Sequence, residues 1–501
     1  MISELLRDVA SRNRRAIAVV DGSERITFGD LLERVLATRE WLRGALDPKS
    51  GDVIALSLDN SWQFVAVCFA ISELGCAAMP CNTQWRAAEL RVFANRLGFR
   101  GAMIESRLSA EWNQIQDLIP SSRLLTADRA PTGIDPDGAQ NLPPTKPTAE
   151  DAPAIYLSTS GSTGAPRLVP RTHRNLIANA RNVARALNIG PGHRFLSVVP
   201  FSYANGLNNS LLLPLLNGAT MVMMRRFSPS ACAELVHREK VNTLFGSPFI
   251  YQSLANGIGD PSLLSSLKWC FNAGGRIPAN VVENWRVRFG VSIRQLYGMT
   301  EAGVIAIEET TPAPVASLGA CIGAPIGGVD AIVLGAQGQC LEQGEIGELA
   351  VQSEAVMPGY HGEPKRVGFF RTGDLGYFDA SGNLHLTGRM GRLMNIAGVK
   401  VHPVEVERTV EMLPGVASCH VDTVSNGHQG EVIRARVVPR EGFSLERREI
   451  IEHCRRHLAE YKLPRIIEFL ESTPVTIAGK LPRSEPPDTG PEVPPSPPGS
   501  F

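Results

Sequence analysis

Residues 156–167 read Tyr156-Leu-Ser-Thr-Ser-Gly-Ser-Thr-Gly-Ala-Pro-Arg167, a stretch that places two glycines, several hydroxyls and one cation close together. The alternating residues 154–157 predict a β-strand, so the polar loop leaves a strand end. In such a loop backbone N–H groups can converge on an anion, hydroxyls add donors and Arg167 adds charge. No Gly-Lys-Ser/Thr follows the second glycine, so this is not a Walker A loop. The stretch predicts a phosphate-binding loop of another kind.

A loop rich in Ser, Thr and Gly is usually only a solvated connection. The residues after it favour a function, because Thr172 can cap a helix that we expect to run to about Leu187. The loop and this capped helix together resemble the phosphate-binding signature of the adenylate-forming superfamily.

Further short motifs follow along the chain. They are Gln295-Leu-Tyr-Gly-Met-Thr-Glu-Ala-Gly303, Phe370-Arg-Thr-Gly-Asp-Leu-Gly-Tyr377, Leu386-Thr-Gly-Arg389, Gly398-Val-Lys-Val-His-Pro-Val-Glu-Val-Glu407 and Pro474-Val-Thr-Ile-Ala-Gly-Lys-Leu-Pro-Arg483. Together with the loop at 156–167, the series resembles the adenylate-forming superfamily of acyl-CoA synthetases, nonribosomal peptide synthetase adenylation domains and luciferase. The resemblance covers nearly the whole chain and is closest to acyl-CoA synthetases. It implies that ATP activates a carboxylic acid as acyl-AMP, with release of pyrophosphate, before transfer to a thiol.

The same resemblance, with the alternation of helix and strand signals, predicts an α/β fold. We expect a large multi-subdomain N-terminal α/β domain at residues 1–390, with a small β-barrel-like part at about 322–386. A small mobile α+β C-terminal domain that carries the catalytic lysine is expected at residues 391–485, with strands near 416–421 and 432–438 and a helix near 445–458. Residues 486–501 are rich in proline, and we expect this tail to be disordered.

Composition narrows the class of protein. The 501 residues include 50 Lys+Arg and 50 Asp+Glu, a balance that does not predict binding to nucleic acid. Nine cysteines, an odd number without a close Cys-x-x-Cys pair, argue against a disulfide framework or a zinc site and favour the reducing cytoplasm. The first residues do not resemble a signal peptide. The apolar region 211–224 is too short to cross a membrane, and we expect a buried helix and strand there.

By resemblance, the loop from Thr159 would wrap the β- and γ-phosphates of ATP, with Arg167 where the family usually has Lys. Thr300 would donate to the α-phosphate, Glu301 would bind Mg²⁺ and Asp374 would accept from the ribose hydroxyls. The expected catalytic residues are Lys480, Thr300 and Glu301. The expected ATP-binding residues are Thr159, Ser160, Gly161, Ser162, Thr163, Gly164, Arg167, Gly274, Gly275, Arg276, Tyr297, Gly298, Met299, Thr300, Asp374, Arg389 and Lys480.

The resemblance also assigns the acid and thiol sites. The expected acid pocket contains Tyr203, Ala204, Asn205, Gly298 and Gly303. Amino-acid-activating domains often carry Asp where Ala204 stands, so an organic or fatty acid is favoured over an α-amino acid. The expected path of the thiol arm contains Gly398 and Lys400, and the expected hinge is Gly391, where a charged residue is more typical.

Three functions stay open. The first is an acyl-CoA synthetase that uses ATP, Mg²⁺ and CoA. The second is a ligase that loads the phosphopantetheine of a carrier protein, or a stand-alone adenylation enzyme. The third is a catalytically silent nucleotide-binding scaffold, which the unusual Arg167, Gly391 and C-terminus favour. The presence of Glu301, Asp374, Arg389 and Lys480 argues against it.

Overall fold

The computed structural model describes residues 1–133, 149–159, 166–275, 277, 279–308, 321–390, 394–396, 399–401, 403–425, 431–458 and 460–471. Within these residues the chain forms two compact units, one made of Met1–Thr387 and the other beginning at Gly388. The domain limits expected from the sequence, 390/391 and 485/486, stay predictions, and the Pro-rich tail lies outside the described residues.

The first unit alternates helices and strands. Its helices are α1 Ile2–Arg12, α2 Phe28–Leu46, α3 Trp62–Glu73, α4 Ala87–Leu97, α5 Ser109–Asn113, α6 His173–Leu187, α7 Leu213–Leu216, α8 Pro229–Glu239, α9 Pro248–Gly257 and α10 Ala279–Phe289. Its strands are β1 Ile17–Asp21, β2 Glu24–Thr27, β3 Val53–Ser57, β4 Ala77–Pro80, β5 Gly101–Ile104, β6 Leu124–Thr126, β7 Pro153–Thr159, β8 Arg167–Thr172, β9 Arg194–Ser197, β10 Thr220–Met223, β11 Thr243–Gly246, β12 Trp269–Asn272, β13 Ile293–Met299, β14 Gly303–Ile307, β15 Cys321–Pro325, β16 Asp330–Leu334, β17 Gly347–Gln352, β18 Phe370–Phe378 and β19 Leu384–Arg389.

Two sheets organise these strands. The smaller has the order β6-β5-β3-β4-β7-β8, and its last pair is antiparallel. In the described residues the larger has the order β16-β17-β18-β19-β15-β14-β13-β12-β11-β9-β10-β1-β2. Strands β1, β10, β9, β11, β12 and β13 run parallel, so their carboxyl ends lie at one edge, where such sheets bind ligands. The β-rich region expected at 322–386 forms β15–β19.

Local sequence explains the two elements that flank the polar loop. The predicted strand at 154–157 is confirmed as part of β7. The predicted helix is confirmed as α6, because the Thr172 hydroxyl accepts a hydrogen bond from the Asn175 N–H at 3.1 Å and the Asn175 side chain accepts one from the Thr172 N–H. Asn188 ends the helix in the left-handed conformation, with φ of 52°.

Apolar side chains fill the space between the sheets and helices. Every residue of helix α3 from Val65 to Ile71 is almost fully buried. This burial explains why the helix is apolar on all faces in that stretch. The apolar region 211–224 forms a buried helical stretch and β10, as predicted. None of the helices in the described residues combines the length and the apolar content that crossing a bilayer requires.

Two kinds of buried titratable group lie in this core. The His173 ring is fully buried at the start of α6, its Nδ1 accepts a hydrogen bond from the Ile2 N–H at 3.4 Å, and burial lowers its pKa to about 4. All nine cysteines are free thiols, of which eight are buried and Cys340 is exposed. Burial raises the pKa of the Cys68 and Cys232 thiols to about 12.

The second unit is a small α+β domain. Its elements are β20 Met394–Ile396, β21 Val399–Val401, α11 Pro403–Glu411, β22 Val416–Ser425, β23 Glu431–Pro439, α12 Arg447–His457 and β24 Ile466–Phe469. Strand β23 pairs antiparallel with β22 and parallel with β24, and the two helices pack on this sheet through an apolar core that includes Val406, Ile433 and Ile450. The predicted strands at 416–421 and 432–438 and the helix near 445–458 are confirmed.

Candidate active site

The polar loop joins two antiparallel strands. Thr159, the last residue of β7, pairs with Arg167, the first residue of β8, so the hairpin is open at this end. Ser160, Gly161, Ser162, Thr163 and Gly164, the expected phosphate ligands between them, lie outside the described residues. The structure therefore fixes the base of the loop and the cation that follows it.

The Arg167 guanidinium lies against the loop of residues 357–366, which contains Tyr360 and Glu363. Its Nη2 is 2.8 Å from both carboxylate oxygens of Glu363, and its central carbon is 3.3 Å from the centroid of the Tyr360 ring. The Arg167 side chain is 40% exposed and that of Glu363 is 49% exposed. The cation is thus held by one ion pair and one cation–π contact at the surface.

Tyr360 connects this cation to Glu301. Its hydroxyl donates a hydrogen bond of 2.8 Å to Glu301 Oε1, while its ring faces Arg167. The pKa of the Tyr360 hydroxyl is raised well above its ordinary value, mainly by burial and secondly by the negative charge of Glu301. The phenol therefore stays protonated and keeps one oxygen of the buried Glu301 carboxylate oriented.

A second arginine, which belongs to none of the expected site residues, supports the turn that carries Thr300 and Glu301. Arg171 on β8 is fully buried, and its Nη1 and Nη2 donate to the backbone carbonyls of Thr300 at 2.5 Å and Ala355 at 2.8 Å. Burial lowers the pKa of this guanidinium to about 10, against the opposing effect of Glu301. The guanidinium thus ties β8 to the turn between β13 and β14.

The turn itself requires two glycines. Strands β13 and β14 pair antiparallel with Met299 opposite Gly303, so Thr300, Glu301 and Ala302 form a tight connection. Gly303 has φ of +73°, and a Cβ there would lie 2.3 Å from the Asn179 side-chain oxygen, which accepts a hydrogen bond from the Val304 N–H. A Cβ at Gly298 would lie 2.5 Å from the Gly303 carbonyl oxygen. Both glycines of the expected acid pocket are therefore needed for the backbone geometry.

Asp374 meets the same hairpin from β18. The Tyr297 hydroxyl donates a hydrogen bond of 2.6 Å to Asp374 Oδ2. The Thr372 hydroxyl accepts from the Asp374 N–H at 3.0 Å, and Gly373 between them has φ of +75°. The Arg-Thr-Gly-Asp motif is thus a turn that presents a carboxylate to Tyr297, and residues 77 positions apart become neighbours.

Gly274 and Gly275 follow the carboxyl end of β12, the strand next to β13. Gly274 has φ of +86°, and both glycines are exposed. The fully buried Asn272 amide donates to the Gly275 carbonyl at 2.8 Å and to the Gln295 side chain at 2.9 Å, which ties the turn to β13. Exposed backbone at this position can accept a flat base, although Arg276, the next expected ligand, lies outside the described residues.

The expected acid-pocket residues Tyr203, Ala204 and Asn205 follow β9 at the start of a helical segment. Tyr203 is half-buried, and its hydroxyl accepts a hydrogen bond of 2.9 Å from the Asn82 amide. Burial raises the pKa of this phenol, and the bond from Asn82 opposes the shift. The side-chain oxygen of Asn205 accepts a hydrogen bond of 3.0 Å from the Asn209 side-chain amide, and Asn205 immediately precedes a π-helix that spans Gly206–Leu212.

The remaining expected residues belong to the second unit. Arg389 is exposed at the end of β19, and Lys400 lies in β21 opposite Asn395. The expected hinge residue Gly391, the thiol-path residue Gly398 and the catalytic Lys480 lie outside the described residues. The site that the structure describes is therefore the part on the first unit.

Few side chains in the described part of the site could bind a metal ion through oxygen. No group of three or more His, Cys, Asp or Glu side chains in the described residues could hold a metal ion by itself. Mg²⁺ is commonly held by one or two carboxylates together with substrate phosphates and water, and the single buried carboxylate of Glu301 fits that donor set.

Three residues of this arrangement were not predicted from the sequence: Arg171, Tyr360 and Glu363. A weak signal existed for Arg171, because this charged residue directly follows the apolar run Leu168-Val-Pro170 in β8. For Tyr360 and Glu363 the local sequence carries no comparable signal.

Known protein families and proteins match nearly the whole chain. Residues 6–361 match the model of a family described as AMP-binding enzyme, and residues 405–480 match the AMP-binding enzyme C-terminal domain. The chain is 32% identical over 485 residues to a feruloyl-CoA synthase of an Amycolatopsis species, with coverage of 95% of this chain and 96% of that protein. It is 30% identical over 483 residues to a sulfoacetate–CoA ligase of Cupriavidus necator, with coverage of 92% of both chains.

The fold has a counterpart among solved structures. The crystal structure of ATP-bound MatB from Rhodopseudomonas palustris superposes with a TM-score of 0.85 at 23% identity, and the match covers 96% of this chain and 97% of that one. This similarity confirms the α/β architecture with a large first unit and a small second one.

Proposed function

The chain belongs to the AMP-binding enzyme family, and from this premise we propose that it is an AMP-forming ligase that joins an organic acid to the thiol of CoA. The observation that carries the proposal is the chain of contacts that links Tyr297, Glu301, Asp374 and Arg167 within the first unit. These residues come from three separate stretches of sequence, and two phenol–carboxylate hydrogen bonds, from Tyr297 to Asp374 and from Tyr360 to Glu301, orient the acidic members. The resulting set of oriented anions and an exposed cation suits a nucleotide.

Each group has a proposed partner on ATP. Arg167 and the loop from Thr159 to Gly164 would bind the β- and γ-phosphates, because a guanidinium and backbone N–H groups favour phosphate oxygens. Thr300 would donate to the α-phosphate from the tight turn. Asp374 would accept from the ribose hydroxyls, and the exposed turn at Gly274 would lie along the base.

Mg²⁺ is the metal that this set of residues would hold. Glu301 supplies a hard oxygen ligand, and the ion, when bound with the phosphates, would neutralise part of their charge. Tyr360 donates to Oε1 of Glu301, so that hydrogen bond fixes the orientation of the carboxylate plane.

The reaction has two steps. A carboxylate oxygen of the acid attacks the α-phosphorus of ATP, the bond from that phosphorus to the bridging oxygen breaks, and pyrophosphate leaves with acyl-AMP as the product. The thiolate sulfur of CoA then attacks the acyl carbon, and AMP leaves with the electrons of the acyl–oxygen bond. The protein contributes mainly alignment and stabilisation of negative charge, which are the principal requirements of phosphoryl transfer.

The second unit supplies the remaining proposed residues. Lys480 would neutralise charge as the acid and the α-phosphate meet, and Arg389 would bind the nucleotide. Gly391 would act as the hinge, because glycine permits large backbone changes at little steric cost, and Gly398 with Lys400 would line the path of the thiol. The resemblance of the surrounding motifs supports these roles.

The proposed substrate is an organic acid without an α-ammonium group. Ala204 stands where amino-acid-activating domains often have Asp, and an unpaired buried ammonium would be costly. The relatives named above are a feruloyl-CoA synthase and a sulfoacetate–CoA ligase, so ferulic acid and sulfoacetate both belong in the panel of candidate acids. The cytoplasmic location stays a prediction.

The test is acid-dependent release of pyrophosphate across a panel of carboxylic acids, with and without CoA. We expect at least one acid to stimulate release, and acyl-CoA to form when CoA is present. Release of pyrophosphate without acyl-CoA would favour a carrier protein as the acceptor. No release with any acid would favour the nucleotide-binding scaffold and contradict the proposal.

A further inference from the structure

We infer that Glu363 competes with the phosphates of the nucleotide for Arg167, and that this competition sets how tightly the protein binds ATP and pyrophosphate. The inference rests on the proposed function, because it requires Arg167 to be a phosphate ligand. It adds to the site a residue that determines affinity, since Glu363 belongs to none of the motifs that define the expected ATP site.

An internal anion, the Glu363 carboxylate, occupies one side of the Arg167 guanidinium, the proposed phosphate ligand. Arg167 is fixed at the open end of the β7–β8 hairpin by its pairing with Thr159, immediately after the polar loop. Its Nη2 contacts both oxygens of Glu363 at 2.8 Å, so a carboxylate already occupies this side of the guanidinium. A phosphate that binds the same nitrogen has to displace it.

The turn at 360–363 brings Tyr360 and Glu363 to the same guanidinium. The Glu363 N–H donates to the Tyr360 carbonyl at 3.0 Å, so the two side chains leave one tight turn. Tyr360 stacks on the guanidinium and also bonds to Glu301, which leaves the ring in place whichever anion the cation faces. Exchange of Glu363 for phosphate therefore requires the movement of one side chain and leaves the Tyr360–Glu301 contact intact.

Exposure makes the exchange possible. Both members of the ion pair are about half exposed, and such pairs contribute little to stability because water and salt screen them. A polyphosphate carries more negative charge than one carboxylate and can displace it. Its affinity is reduced by the strength of the ion pair that it breaks, so removal of the carboxylate should tighten its binding.

The experiment is calorimetric titration of the full chain with pyrophosphate in the presence of Mg²⁺, and separately with ATP. Glu363→Gln should lower both dissociation constants about two- to five-fold, the range expected for an exposed ion pair. The matched control is Glu354→Gln, which removes the same charge from a side chain that is 73% exposed and 4.0 Å from Arg174. This control should leave both constants unchanged.

A double variant distinguishes loss of the Arg167–Glu363 ion pair from a general effect of removing one negative charge. With Arg167→Gln already present, Glu363→Gln should have no further effect on pyrophosphate affinity, because the pair no longer exists. High ionic strength should reduce the difference between Glu363→Gln and the unmodified chain.

The possible failures are distinguishable. Unchanged or weaker pyrophosphate binding by Glu363→Gln, in a chain that releases pyrophosphate with some acid, would overturn the inference and leave the proposed function intact. Tighter binding by the same variant in a chain that activates no acid would support the competition and contradict the proposed reaction. An equal effect of Glu354→Gln would overturn the inference as well.

Discussion

The buried Arg171 gives the sharpest prediction about the site. Arg171→Met keeps a long side chain in the same space but removes the charge and both hydrogen bonds to the carbonyls of Thr300 and Ala355. We expect the turn that carries Thr300 and Glu301 to lose its attachment to β8. The first unit should stay folded, because Met suits the buried surroundings of the side chain.

The size of the effect follows from opposing contributions. A hydrogen bond from a charged donor contributes about 1.5–3 kcal/mol, and Arg171 makes two of them to backbone carbonyls. Burial of a guanidinium costs several kcal/mol, and the same burial lowers its pKa to about 10. Because the two contributions offset each other, we expect the free energy of unfolding to fall by about 1–3 kcal/mol. The rate should fall further, about 10- to 100-fold, because small displacements of aligned groups are costly.

The assay compares acid-dependent pyrophosphate release at saturating ATP with the thermal unfolding midpoint of each variant. Val169→Ala is the control for stability, because Val169 is fully buried on the same strand and its truncation costs about 1–3 kcal/mol. Arg171→Lys retains the charge with a single donor group and should give an intermediate rate. If Arg171→Met slows the reaction no more than Val169→Ala does, the positioning role is wrong.

Three further predictions concern the turn, the core and the second unit. Gly303→Ala should cost several kcal/mol more than Gly338→Ala in thermal unfolding, because both glycines have positive φ but only at Gly303 would a Cβ meet the Asn179 side chain; equal costs would contradict the close contact. Because the pKa of His173 is lowered from about 6.5 to about 4, its contribution to stability is complete above pH 6.5 and is lost as pH falls toward 4, by up to about 3 kcal/mol. His173→Gln should flatten the unfolding profile in that window, and an unaltered slope would rule out this residue as its source. Lys480→Ala should abolish adenylation but leave thioester formation from supplied acyl-AMP largely intact, and equal loss of both half-reactions would contradict the role.

Local sequence patterns were sufficient to predict those elements whose structure depends on residues close together in the chain. The strand before the polar loop and the helix capped by Thr172 follow from alternation and from a side chain that bonds three residues ahead. The motif around Asp374 was assigned from its resemblance, and the structure brings it to Tyr297. These features could be predicted because each one repeats a short pattern.

The contacts around Arg167 and Arg171 could not be predicted in the same way. Arg171 meets Thr300 across 129 residues, and Arg167 meets Glu363 across 196. A single sequence shows that a cation is present but does not show which distant segment the sheet order places beside it. Arg171 lies on β8 of the smaller sheet, whereas Thr300 follows β13 of the larger one, so this contact depends on how the two sheets pack against each other within the first unit.

The distribution of thiols has a practical consequence for the study of this protein. Eight cysteines are buried, and for most of them burial raises the thiol pKa, so alkylating reagents at neutral pH should react slowly with them. Cys340 is the exposed cysteine, and its backbone pairs with that of Leu334 in an isolated antiparallel bridge. A maleimide dye should therefore attach to the unmodified chain at a single known position, which provides an optical reporter on the first unit without engineering.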